Sequence, residues 1–127
     1  MAKREHRLGD LQLEIMKVLW ATGRATVNEV HRALPGGAEL APTTVATMLR
    51  KMEARRLVRH RTEGRKFLYE PAVAEEDVSR SMADDVLERV FEGKLADMVS
   101  HLLERRDVSA EELDHIARLI AERKARE

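Results

Sequence analysis

Residues 41–71 read APTTVATMLRKMEARRLVRHRTEGRKFLYEP, and their period changes halfway. Pro42 suits the first position of a helix, where its missing N–H has no partner to lose. From there Val45, Met48, Leu49 and Met52 recur at helical spacing and predict one inward face, ending near Arg56. Thr43, Thr44, Ala46, Thr47, Arg50, Lys51 and Ala54 fall on the outward face. Two short runs follow, Leu57–Thr62 and Arg65–Glu70, around Glu63-Gly64. Val58, Phe67 and Tyr69 favour strands, so these runs predict a β-hairpin that Pro71 stops.

Upstream, Leu11, Ile15, Val18 and Leu19 mark one face of a helix over about 9–21, widened by Met16 and Trp20 and closed by Gly23. Thr26 and Glu29 form a T-x-x-E capping box that starts a second helix, with Val27, Val30, Ala33 and Leu34 apolar and Pro35-Gly36-Gly37 ending it. Three helices and a hairpin in this order predict a winged helix-turn-helix domain over 1–72.

Downstream, residues 73–127 return to helical spacing. Val78, Met82, Val86 and Val90 form one stripe, which Gly93 interrupts. Leu95, Met98, Val99, Leu102 and Leu103 form a second. Ser109 and Glu112 have capping-box spacing, and Leu113, Ile116 and Ile120 carry the last helix. Three amphipathic helices in so short a segment can hardly bury these stripes alone, so they predict a dimerisation domain completed by a second copy. The fold expected is mainly α with a small β-hairpin wing.

Charge separates the same two segments. The 127 residues hold 23 Lys and Arg against 23 Asp and Glu, a formal net charge of zero. Residues 1–72 carry 14 basic and 8 acidic side chains, whereas residues 73–127 carry 9 and 15. The basic excess gathers in the third helix and hairpin, at Arg50, Lys51, Arg55, Arg56, Arg59, Arg61, Arg65 and Lys66. A helix fits the major groove of duplex DNA, where Arg and Lys reach guanine edges and Thr offers a methyl or a hydroxyl. Arg61, Arg65 and Lys66 are placed to meet the adjacent phosphates. A solvated charged face is the plainer explanation of most charge runs. For Thr43 and Thr44 the plainer explanation is help at the helix start. It does not cover Thr47.

Other chemistries find little support. There is no cysteine, hence no disulfide, thiolate metal site or cysteine nucleophile. His6, His31, His60, His101 and His115 lack metal-ligand spacing. No phosphate-binding loop, nucleophile elbow or dinucleotide fingerprint is present, so no catalytic residue and no cofactor are expected. The start, MAKREHRLGD, has no apolar core of a signal peptide, and no apolar run reaches 18 residues. A soluble, cytoplasmic protein is expected.

Leu8-Gly9-Asp10-Leu11 through Glu14–Trp20 resembles the opening helix of the penicillinase-repressor (BlaI/MecI) family. So do Pro42–Leu49, Leu57-Val58, Gly64-Arg65 and Tyr69-Glu70-Pro71, and the tail from Leu95 through Asp107-Val108-Ser109 to Leu113. The resemblance spans nearly the whole chain. It implies a homodimeric transcriptional repressor that binds palindromic double-stranded DNA, with recognition contacts at Thr43, Thr44, Ala46 and Thr47. Some relatives have a basic residue where this chain has Thr43 or Ala46, and Arg50 and Lys51 can supply some of that missing charge. The copper-responsive (CopY) branch uses C-terminal cysteine ligands, which this chain lacks. In the β-lactamase-linked branch a regulatory protease cleaves the C-terminal domain. The matching stretch is Ser100-His101-Leu102, without that branch's Asn-Phe pair. Two further readings stay open, a winged helix that binds protein and a DNA-binding regulator gated by a small ligand.

Overall fold

A computed structural model of the protein describes residues 8–127. The charged start and His6 therefore lie outside the described residues. Six helices and one hairpin follow in the order α1 (Asp10–Thr22), α2 (Val27–Ala33), a 3-10 turn (Gly37–Glu39), α3 (Pro42–Ala54), β1 (Val58–Glu63), β2 (Lys66–Pro71), α4 (Glu75–Phe91), α5 (Leu95–Arg105) and α6 (Ala110–Ala125). The contacts divide the chain within α4, into one unit ending at Asp84 and another from Asp85 to Glu127. The change in charge and period read from the sequence falls earlier, at 72/73.

The first unit contains the core. Ile15, Met16 and Leu19 of α1, Val30 of α2, and Val45, Leu49 and Met52 of α3 are fully buried together with Leu57, Val58 and Tyr69. Three apolar stripes thus converge, each by the 3.6-residue period. Start signals are visible in the backbone. Thr26 Oγ1 accepts from the Glu29 N–H at 3.2 Å, and Glu29 Oε1 accepts from the Thr26 N–H at 2.8 Å, completing the capping box. Gly37 is buried against His31, whose backbone carbonyl leaves no room for a Cβ, so only glycine fits this turn. His31 Nε2 also lies 2.6 Å from the Leu40 carbonyl. The α2–α3 turn is therefore clamped at both ends.

At the other end of α3, Leu57 N–H donates to Met52 O at 3.0 Å and Arg56 N–H to Glu53 O at 2.9 Å. This is the paired closure in which the residue after the helix adopts a left-handed conformation. Here that residue is Arg56, at φ 62°, where glycine is usual. The chain turns sharply and enters the hairpin, paired antiparallel from Val58↔Pro71 to Glu63↔Lys66. Gly64, at φ 62°, and Arg65 form the tip, one residue beyond the Glu63-Gly64 turn read from the sequence. Ala25 and Tyr69 bond reciprocally at 2.9 and 2.8 Å, so the segment before α2 adds a one-residue third strand. Beyond the hairpin, Trp20 Nε1–H donates to Val73 O at 3.0 Å and Val78 is buried, so the first unit extends past residue 72.

In the second unit neither α5 nor α6 has a buried residue. Ser109 caps α6 by accepting the Glu112 N–H at 3.0 Å, and Phe91 and His101 rings lie 5.9 Å apart. No helix among the described residues is long and apolar enough to cross a membrane.

Candidate nucleic-acid interface

The outward face of α3 follows from its inward one. With Val45, Leu49 and Met52 in the core, the 100° step leaves Thr43, Thr44, Thr47, Arg50 and Lys51 exposed, and Ala46 half-buried. Together with the half-buried Met48, the three threonines and Lys51 border one shallow hollow. Ala41 supplies no side-chain cap to α3. Neither the Thr43 nor the Thr44 hydroxyl has a hydrogen-bond partner among the described residues, so helix capping does not occupy them. Thr47 Oγ1 accepts from Arg50 at 3.3 Å. The face therefore carries donors, acceptors and methyl groups at helical spacing.

The wing's cations divide into two sets. Arg59 and Arg61 both reach Glu70, at 3.0 and 3.4 Å. The hydrogen bond from Arg59, helped by Arg61, holds the Glu70 carboxyl below the usual range. A depressed carboxylate pKa adds stability that is complete above the unfolded value and is lost as pH falls below it. Carboxyl-carbon NMR across an acid titration should therefore show Glu70 protonating below ordinary glutamates. Arg61, expected as a free phosphate contact, is thus part of an ion-paired group. Arg65 and Lys66 at the tip are exposed, and no carboxylate among the described residues lies within ion-pair distance of them.

One group escapes notice in the sequence. His60 Nδ1 lies 2.7 Å from Glu53 of α3, and its ring stacks on Phe67 at 4.3 Å and 22° and tilts against Tyr69 at 5.6 Å. Burial pushes the Tyr69 phenol up, with the Glu53 charge adding to it. This cluster joins the wing to the exposed helix. The strand register brings His60, Phe67 and Tyr69 to one face, but only the fold supplies Glu53. Gln12 of α1 makes a similar tie, accepting from Arg55 at 2.7 Å and reaching the Met48 sulfur at 3.3 Å.

The apolar stripes of the tail are largely uncovered. Val86, Val90, Leu95, Leu102, Leu103, Leu113 and Ile120 are exposed, Val90 by 67% and Leu95 by 61%. Met98, Val99 and Ile116 are partly covered, and Leu119 is a further exposed leucine outside the stripes read from the sequence. Leu95, Val99, Leu103 and Ile120 border one apolar groove. Val78 departs from this set. At 1% exposure in the single chain it is already buried, so it has no face left for a partner. Met82 is half-buried. Among the described residues no cluster of His, Cys, Asp and Glu is arranged to hold a metal.

A buried α1–α2–α3 core, a clamped turn before an exposed third helix and a hairpin tied to that helix define the winged helix-turn-helix class. The penicillinase repressor family model matches residues 8–122. The chain is 32% identical to the penicillinase repressor of Bacillus licheniformis over 98% of its length and 97% of that protein. It is similar in fold to the DNA-binding domain of the repressor BlaI in solution, at 34% identity and a TM-score of 0.51, over 60% of this chain and 93% of that one. The Bacillus licheniformis BlaI monomeric form in complex with the blaP half-operator matches at 34% identity over the same shares, with a TM-score of 0.50. This chain belongs to the penicillinase repressor family.

Proposed function

We propose that the protein is a cytoplasmic transcriptional repressor that binds a palindromic operator as a homodimer. The observation that carries this is the outward face of α3, with Thr43, Thr44, Ala46, Thr47, Arg50 and Lys51, beside the exposed tip cations Arg65 and Lys66. α3 enters the major groove and reads base edges, while the wing tip meets the phosphate backbone. The related repressor's complex with a half-operator supports one such domain per half-site. Arg50 and Lys51 supply charge for the groove, whereas the charge of Arg61 is shared with Glu70.

Pairing rests on the tail. Val86, Val90, Leu95, Met98, Val99, Leu102, Leu103, Leu113, Ile116 and Ile120 meet the same surface of a second copy, because one chain leaves most of them in water. Two winged helices then address half-sites about one helical turn, roughly 34–36 Å, apart or a multiple of it. The repressor acts by occupying the promoter. Relief by a regulatory protease near His101-Leu102 requires local opening of α5, since that stretch lies inside the helix.

Titration of the full chain against its own upstream DNA tests the reading. Affinity should fall steeply with salt, by a log–log slope of about 0.9 per phosphate neutralised. Thr47→Ala should reduce preference for the operator over random duplex, whereas Arg65→Ala should weaken both duplexes alike. A flat salt response, or indifference to both substitutions, overturns the assignment of α3 and the wing. Insensitivity to competing duplex DNA would instead mark a protein-binding module.

A further inference from the structure

We infer that the cleft between α2 and the wing seats a backbone phosphate of the DNA beside the groove that α3 occupies, with Arg32 as a cationic arm that α3 and the wing tip do not provide. This rests on the DNA-binding reading above and extends it to a second surface. The cleft has a volume of about 510 Å³ and lies between Asn28, Glu29 and Arg32 of α2 and Arg65, Lys66 and Phe67 of the wing. Two elements far apart in sequence thus bring three cations to one hollow. Among the described residues none of the three is in an ion pair, in contrast to Arg59 and Arg61, which share Glu70.

Glu29 is the one carboxylate in the cleft, and it is already engaged. It accepts the Thr26 N–H at 2.8 Å, a bond that lowers its pKa, with Arg32 and Lys66 acting in the same direction. Three positive charges and one capped negative charge leave a positive excess that favours an anionic phosphodiester. Phe67 is 47% exposed although one face of its ring stacks on His60, so it offers apolar surface to a deoxyribose. Asn28 is exposed and adds a side-chain amide donor. Duplex DNA fits better than a small acid because the cleft shares Arg65 and Lys66 with the wing tip. A strand held at the tip continues into it.

The test uses the full chain, titrated across salt with a duplex from its own upstream region and with a random-sequence duplex. Arg32→Ala should lower the salt slope by about 0.9 per bound subunit on both duplexes, leaving their ratio unchanged. Arg32→Lys should keep the wild-type slope, since the charge remains. Glu29→Gln retains an acceptor for the Thr26 N–H and should tighten binding to both duplexes. The seat is overturned if Arg32→Ala keeps the wild-type slope and affinity while Arg65→Ala lowers them, and the DNA-binding reading then stands. It is also overturned if Arg32→Ala leaves DNA binding intact but abolishes a thermal stabilisation by benzoate, which would mark the cleft as a small-acid site. Absence of salt-dependent binding in the wild type removes the DNA-binding reading itself.

Discussion

A chain ending at Asp84 is expected to be monomeric and to bind a two-half-site operator about 10²- to 10⁴-fold more weakly than the full protein, while its binding to a single half-site changes little. The loss reflects effective concentration: once one winged helix is docked, a tethered second copy finds its half-site without a fresh encounter. Asp84 is the right place to cut because the first unit uses residues beyond the hairpin. Val73 packs against the core and accepts the Trp20 indole N–H at 3.0 Å, so a chain stopped at residue 72 would weaken the core as well as remove the tail. Sedimentation gives the oligomeric state, and band shifts on one and two half-sites give the affinities. If the shortened chain sedimented as a dimer or held the full operator as tightly, the tail would not be the pairing element.

The second large effect is on stability. Leu49→Ala should destabilise the protein by about 2–5 kcal/mol, because the site is fully buried and the surrounding side chains from α1, α2 and the hairpin can close the cavity only partly. Thr47, two residues away and exposed, should change stability by less than about 0.5 kcal/mol when replaced by alanine. Urea denaturation of the two variants compares them directly. Equal, small losses would mean that α3 is not packed through the face assigned to it.

Much of this was legible in the sequence because the deciding signals are local. Three apolar stripes at helical spacing, the Thr26–Glu29 box, Pro42 and the strand residues about Gly64 each specify structure within a few residues. The outward face of α3 follows by subtraction. What escaped depends on partners distant in the chain. The Ala25–Tyr69 pairing involves one residue on one side, too short to produce a period. A count of positive charges does not show that Glu70 holds Arg59 and Arg61 together, nor that Arg32 faces the wing. Glu53 and His60 are seven residues apart, on a helix and a strand, and only the sharp turn at Arg56 makes them neighbours. Val78 shares a stripe with Met82, Val86 and Val90, but a stripe says which side of a helix is apolar and not what covers it.

The clamped turn before α3 also bears on how such proteins diversify. His31 and Gly37 fix the length and direction of the approach to α3, and Val45, Leu49 and Met52 fix its seat. None of these residues belongs to the outward face. Substitutions at Thr43, Thr44, Thr47, Arg50 and Lys51 are therefore nearly independent of folding, whereas those at the mount are not. Duplicated copies of such a gene can drift to new target sequences by exchanging a handful of codons, with little risk of an unfolded intermediate. The same separation makes the helix face a replaceable part for engineered control of transcription.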